Sequence, residues 1–440
     1  MRETLSSRLG FLMLAAGCAV GLGNVWRFPY IVGRNGGAAF VILYLVFLAL
    51  LGFPMLVAEL AVGRGSRCGV TGAFAALAPR GCSRRWRIVG PVLFVGNLLL
   101  MIYYTDVAGW LVKYTADYVT GRPPSDPGAA FAALAGTPRV SGLFMSVVVA
   151  LATLTCLAGV AKGVERVTKA MMISLLALLT VLAVKAVSLP GAEAGVSFYL
   201  KPDWSRFLAD PGRVLVDAMG QAFFTLSIGI GAMTIFGSYV DRRHSLVTEA
   251  CWIVAIDTFV ALLAGLVVFP ACAAYGVDYT GGPGLIFVAL PGVFNRMAGG
   301  AVWGSAFFLF LSFAALTTVI AVFECLIGGL RDMTAVTRLR ASLAVGAAVA
   351  LASLPCVLFD GVLDWEDFVV SRLWLPLGAL VFCIFVTRRQ IGWGWEGFYA
   401  EASAGDGMAF PRWMRAHLTW VVPVMIVVLF VAGLVEKFAS

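Results

Sequence analysis

Long apolar runs recur from one end of the chain to the other, each bounded by a short polar stretch. They fall near residues 9–32, 38–64, 88–120, 141–159, 164–187, 214–240, 246–275, 298–331, 337–358, 366–388 and 414–436. A helix needs about 20 apolar residues to cross the hydrocarbon layer, so the pattern predicts an all-α integral membrane protein with about eleven transmembrane helices. The longest polar stretches, 187–213 and 389–413, read as loops. The first run lacks a small-residue cleavage site and continues into Trp26-Arg27-Phe28-Pro29, so it reads as a span and not as a removable leader.

Two runs are interrupted. The first contains Gly17-Cys18-Ala19-Val20-Gly21-Leu22-Gly23-Asn24, with Arg27 close behind, and the sixth contains Gly220-Gln221-Ala222-Phe223-Phe224-Thr225-Leu226-Ser227-Ile228-Gly229-Ile230-Gly231. Glycine-rich membrane helices commonly serve close packing. Here an Asn and an Arg adjoin the first break, and polar side chains inside a bilayer mark sites or pathways. Backbone that leaves the helix at that depth has to line a cavity or hold something polar. The breaks stand five helices apart, in matching places of two halves, which is the pattern of inverted-repeat transporters. Residues 1–187 and 188–388 are the expected repeats, with 389–440 supplying a loop and helix eleven. Half-helix N-termini favour an anionic group and freed carbonyls favour cations, a pairing that suits an amino-acid zwitterion with Na⁺.

The eighth run adds Ala314-Ala315-Leu316-Thr317-Thr318, which puts a carbonyl and two hydroxyls on one helix face. With carbonyls freed at Gly17 and Val20 they make a five-oxygen set for a hard monovalent cation. The alternative is that both threonines bond back to their own helix, as hydroxyls in apolar helices commonly do.

Composition narrows the class. The chain is 61% hydrophobic and 13% charged, where soluble domains carry roughly 25% charged residues. Its net charge of +8 comes from basic residues in alternate connections, such as Arg64, Arg67, Arg80, Arg84, Arg85 and Arg87 in the second and Lys162, Arg166 and Lys169 in the fourth. The connection after run nine is acidic, with Asp360, Asp364, Glu366 and Asp367. The positive-inside rule then places the N-terminus in the cytoplasm and the C-terminus outside. Basic residues so dispersed form no nucleic-acid surface. The nine cysteines stand singly, and no Ser-His-Asp set, HExxH motif or phosphate loop occurs, so enzyme chemistry is not expected. No protein partner is legible, because lipid-facing and partner-facing surfaces look alike in sequence.

Gly21-Leu22-Gly23-Asn24-Val25-Trp26-Arg27-Phe28-Pro29-Tyr30, Asn35-Gly36-Gly37, Pro54-Met55-Leu56-Val57-Ala58-Glu59, Gly220-Gln221-Ala222-Phe223-Phe224-Thr225-Leu226-Ser227 and Leu363-Asp364-Trp365-Glu366-Asp367-Phe368 resemble motifs of the neurotransmitter:sodium symporter family, in its bacterial amino-acid transporter branch. The resemblance covers nearly the whole chain. It implies a five-plus-five inverted repeat with discontinuous helices 1 and 6, in a bacterial inner membrane, taking up a solute with two Na⁺ ions by alternating access. One sodium site would be the carbonyls of Gly17, Val20 and Ala314 with the hydroxyls of Thr317 and Thr318. The other would be the Ala19 carbonyl, Asn24, Thr225 and Asp257. The Leu22 and Gly23 amides and the Tyr104 hydroxyl would hold the substrate carboxylate. The carbonyls of Ala19, Phe224 and Thr225, with Ser227, would receive the ammonium.

By the same resemblance, Leu100, Tyr104, Phe224, Ile230, Thr318, Val319 and Val322 would surround the substrate side chain. None is charged, and a charged substrate would stay unpaired in a dry pocket. A neutral, mainly hydrophobic L-amino acid is therefore expected. Arg27 and Asp367 would close the outside through a water-bridged pair, with Phe224 as a lid. Arg2, Ser238, Tyr239 and Asp332 would close the inside, and Glu59 would satisfy amides at the helix breaks.

Asp257 stands in an otherwise apolar run, where an unpaired charge costs on the order of 3 kcal/mol. It reads either as a fixed charge beside Na⁺ or as a protonated acid bonded to its neighbours. Chloride-dependent relatives carry an Asn here and a Ser one turn later, where this chain has Ala261. A fixed carboxylate replaces the anion, so chloride-independent transport is expected. Ile173 stands where relatives have a helix-five proline, and Leu5 where they have a Trp. Asp106, a second intramembrane acid, is expected to pair with Lys113, with proton coupling as the alternative. A Na⁺-independent or proton-coupled exchanger and a non-transporting amino-acid receptor are the competing functions.

Overall fold

In the computed structural model, which describes residues 5–79, 81–279 and 284–438, nine continuous helices are long and apolar enough to cross a membrane. They are Ala38–Ser66, Arg84–Val119, Pro138–Leu157, Val160–Val187, Leu246–Tyr275, Gly300–Met333, Arg338–Leu358, Val362–Thr387 and Met414–Phe438. A bent pair, Arg8–Ala19 and Gly23–Arg34, inclined at 54°, forms the first crossing. Pro211–Phe224 and Ala232–Gly237, joined by turn backbone, take the sixth place. The eleven runs read from the sequence thus become eleven helical stretches, with the first and sixth broken at their glycines. Arg2 and Arg80 lie outside the described residues.

Each break has a local cause. Val20 turns extended (φ −68°, ψ 102°) while its N–H still bonds the Ala16 carbonyl. In the sixth stretch Ser227 (φ 51°), Gly229 (φ 103°) and Gly231 (φ 72°) take left-handed backbone. A side chain at that conformation costs about 1–2 kcal/mol, so Ser227 is held there by its surroundings. A Cβ on Gly229 would meet the Leu375 carbonyl at 2.1 Å, so packing as well as φ requires glycine.

Widened π-helical turns occupy Gly23–Arg27, Leu48–Gly52, Val160–Glu165, Leu285–Ala289, Val369–Trp374 and His417–Val421. Five of the six sit just before a proline: Pro29, Pro54, Pro291, Pro376 or Pro423. A proline ring collides with the carbonyl four residues back and offers no N–H. The wider turn relieves the collision without ending the helix. Val160–Glu165 has no such proline and instead follows Gly159, at φ 93°.

The eighth crossing, Gly300–Met333, is buried along most of its length and packs against the first, third, fourth and fifth. The two long polar stretches are partly helical and not plain loops: Glu193–Leu200 and Ser205–Ala209 form in one, Trp395–Ala402 in the other. Their apolar residues, such as Tyr199 and Phe398, bury against the bundle.

The expected Asp106–Lys113 pair does not form. Lys113 pairs with Asp117, one turn further along the same helix. Asp106 instead accepts a 2.5 Å bond from the Ser141 hydroxyl, which accepts one of 2.7 Å from the Trp110 indole. Asp117 is the i+4 neighbour of Lys113 and stands nearer the end of the helix, where a lysine keeps its charge in contact with water.

Candidate functional site

The two breaks face each other and are stitched together by side chains. The Gln221 amide donates to the Gly23 carbonyl at 2.9 Å, and the Ser227 hydroxyl to the Cys18 carbonyl at 3.4 Å. The Leu22 N–H donates to the Tyr104 hydroxyl at 3.2 Å. Glu59, fully buried on the second crossing, accepts from the Gly229 N–H at 2.5 Å and the Met233 N–H at 3.2 Å. That carboxyl satisfies amides which the broken sixth helix cannot, the role read for it from the sequence.

Between the breaks lies a small cavity. It is lined by Ala19, Leu22, Gly23, Leu100, Tyr104, Phe224, Ser227, Ile230 and Thr318, all read from the sequence, and by Cys18, Gly21 and Leu375, which were not. Thr225, Val319 and Val322 are buried but do not line it. Nothing in the apolar run around Leu375 distinguishes it from its neighbours. Gly21 carried the only available signal, a glycine at a close approach: a Cβ there would lie 2.6 Å from the Tyr104 hydroxyl and 2.8 Å from that of Thr318.

Two oxygen clusters flank the cavity. The Thr318 hydroxyl oxygen lies 3.2 Å from the Gly17 carbonyl, 3.2 Å from that of Val20 and 3.3 Å from that of Ala314. The Thr317 hydroxyl lies 3.0 Å from the Ala314 carbonyl. Both threonines bond back to their own helix, and Thr318 also reaches the broken one. All five are hard oxygens, linked through the Thr318 hydroxyl and the Ala314 carbonyl, a set that fits a small hard cation.

In the second cluster, Asp257 accepts from the Asn24 amide at 2.8 Å and from the Thr225 hydroxyl at 2.9 Å. The Asn24 amide also donates to the Asp257 carbonyl, and its oxygen accepts from the Gly21 N–H at 3.2 Å. All three side chains are buried. A carboxylate, an amide and a hydroxyl again fit a hard cation. Ala19 ends the adjoining half-helix and lines the cavity.

Beside the cavity the Arg27 guanidinium lies over the Phe224 ring, 4.4 Å from its centroid. Asp367 accepts from Ser371 at 2.8 Å, and among the described residues no direct ion pair joins it to Arg27. Of the residues expected to close the inside, Tyr239 donates to Glu324 at 2.9 Å. Glu324 is also held by Arg338, whose Nε reaches the Cys156 carbonyl. Asp332 accepts from the Gly69 N–H at 2.7 Å, and the Ser238 carbonyl accepts from Arg67 at 3.4 Å. Glu324 and Arg338 were not read as inner-network residues. The signal was present, since Glu324 interrupts the apolar run Val322-Phe323-Glu324-Cys325-Leu326.

Residues 2–127 and 135–439 match the sodium:neurotransmitter symporter family. A sodium-dependent transporter of Bacillus subtilis (strain 168) is 33% identical over 97% of this chain and 96% of its own length. The sodium-dependent serotonin transporter of Drosophila melanogaster is 30% identical over 98% of this chain and 76% of its own. The crystal structure of MhsT in complex with L-phenylalanine aligns with a TM-score of 0.86 at 35% identity, covering 98% of this chain and 100% of that one. On the extent of these matches, the chain belongs to the sodium:neurotransmitter symporter family.

Proposed function

We propose that this sodium-dependent membrane transporter takes up a neutral, mainly hydrophobic L-amino acid together with two Na⁺ ions, by alternating access and without chloride. One observation carries the reading: an uncharged cavity opens onto two helix breaks, between the Thr318 and Asp257 oxygen clusters. The substrate carboxylate is held at the Leu22 and Gly23 amides beside Tyr104, and also touches the sodium held by Ala19, Asn24, Thr225 and Asp257. Each ligand then raises the affinity of the other by the same factor. Asp257 supplies a fixed negative charge beside that ion, which makes a bound anion unnecessary. MhsT, 35% identical, was solved with L-phenylalanine, in keeping with a neutral substrate. Residues 1–187 and 188–388 act as the two repeats, with the N-terminus cytoplasmic and the C-terminus outside a bacterial inner membrane.

Uptake of labelled neutral amino acids into proteoliposomes tests this, with Na⁺ replaced by K⁺ and, separately, chloride by gluconate. Accumulation should require Na⁺ and survive gluconate. Asn24→Ala and Thr317→Val should weaken Na⁺ dependence roughly tenfold or more, since bonds to charged groups contribute about 1.5–3 kcal/mol. Equal uptake in Na⁺ and K⁺ would overturn the coupling and favour the exchanger. Collapse in gluconate would overturn the role given to Asp257.

A further inference from the structure

Thr168, on the fifth crossing, is fully buried, and its hydroxyl has no hydrogen-bond partner among the described residues. That sets it apart from most helical threonines of this chain. Thr105, Thr115, Thr153, Thr155 and Thr180 each return the hydroxyl to the carbonyl four residues back, at 2.8–2.9 Å. For Thr168 that carbonyl belongs to Val164, inside the π-helical turn Val160–Glu165. Valine has the same shape and leaves no hydroxyl unsatisfied, so packing alone gives no reason for threonine here.

The position supplies one. A Cβ built on Gly17 would lie 3.0 Å from the Thr168 methyl and 3.2 Å from the Thr317 Cβ, so the two threonines flank Gly17 from the fifth and eighth crossings. The Gly17 carbonyl is already 3.2 Å from the Thr318 hydroxyl, within the five-oxygen cluster. One ~120° step about χ1 carries the Thr168 hydroxyl into the place the methyl now holds, facing Gly17, while the methyl takes the place of the Cβ hydrogen.

We infer that Thr168 is a further oxygen ligand of the Na⁺ site formed by Gly17, Val20, Ala314, Thr317 and Thr318. The assignment rests on the Na⁺ coupling proposed above. It gives the fifth crossing, which contributes none of the five oxygens, a direct hold on the ion at the cytoplasmic flank of the cluster.

The test compares wild type, Thr168→Val and Thr168→Ser in proteoliposomes. It reads half-saturating Na⁺ for substrate binding, ²²Na⁺ binding, and thermal unfolding in K⁺. Thr168→Val should raise half-saturating Na⁺ roughly tenfold, with unfolding in K⁺ unchanged or at higher temperature. Thr168→Ser, which keeps the hydroxyl, should stay near wild type. Unaltered Na⁺ dependence in Thr168→Val, or an equal shift in Thr168→Ser, overturns the assignment while leaving the coupling intact. A wild type that binds no Na⁺ overturns both, so the two failures are distinguishable.

Discussion

A single methyl group on Gly21 reaches the cavity, the tyrosine and the eighth helix at once. It would stand 2.6 Å from the Tyr104 hydroxyl and 2.8 Å from that of Thr318, so one or both side chains have to give way. Overpacking of this kind costs about 1–3 kcal/mol. Because Tyr104 also accepts from the Leu22 N–H, the displacement falls on the site proposed for the substrate carboxylate. Gly21→Ala should weaken substrate binding roughly tenfold or more while the protein still inserts and unfolds cooperatively. Scintillation proximity binding beside a thermal melt separates these effects, and normal affinity would show that the tyrosine has slack. Residues of this kind were legible where their chemistry conflicts with a bilayer: Asn24, Asp257 and Glu59 stand out in apolar runs. Leu375 was not legible, since apolar lining of a cavity and apolar packing against lipid use the same side chains.

Among elements, the π-helical turn at Val160–Glu165 is distinctive in having no proline to explain it. Its last residue, Glu165, accepts from the Ser6 N–H and hydroxyl and from the Ser7 hydroxyl. Ser7 in turn caps the first half-helix through the Gly10 N–H. Gly10 lies so close that a Cβ would fall 1.8 Å from the Glu165 carboxyl. The start of the first crossing is thus clamped to the fifth at an irregular turn. Glu165→Ala should release that clamp and favour the inward-facing state. With Cys18 as the sole cysteine, buried at the first break in the parent protein, a cytoplasmic thiol reagent should label the variant several-fold faster in K⁺. An unchanged rate would assign the inner closure to the Tyr239–Glu324–Arg338 network instead. The eleven apolar runs were readable because length and hydropathy are properties of composition. The short helices of the polar stretches were not, since they are held by burial against the bundle and not by a local pattern.

At the scale of the molecule, Arg64 ties three connections between crossings together. Fully buried at the end of the second crossing, it bonds the Glu401 carboxylate at 2.6 Å and the His244 carbonyl at 2.6 Å, and it also reaches the Glu401 carbonyl. Arg242 meets the same carboxylate from the surface at 2.8 Å. Removing one partner of a buried pair leaves the other charge uncompensated. Arg64→Ala should therefore destabilise the protein by about 3 kcal/mol, less than an isolated pair only so far as Arg242 compensates. Arg64→Met combined with Glu401→Leu should recover most of the loss in a detergent melt. A double variant no better than the single one would mean that the carbonyl contacts dominate.

The proline-linked π-helical turns also change how such a bundle is mapped. Each inserts one residue beyond the α-helical repeat, and one residue is about 100° of rotation. A wheel drawn straight through Val362–Thr387 therefore loses phase at Val369–Trp374. Positions it assigns to lipid beyond Trp374 belong about a quarter-turn away. Periodicity in a cysteine or tryptophan scan of that helix will look broken unless the two halves are fitted separately, and the fitted phase jump measures the turn directly.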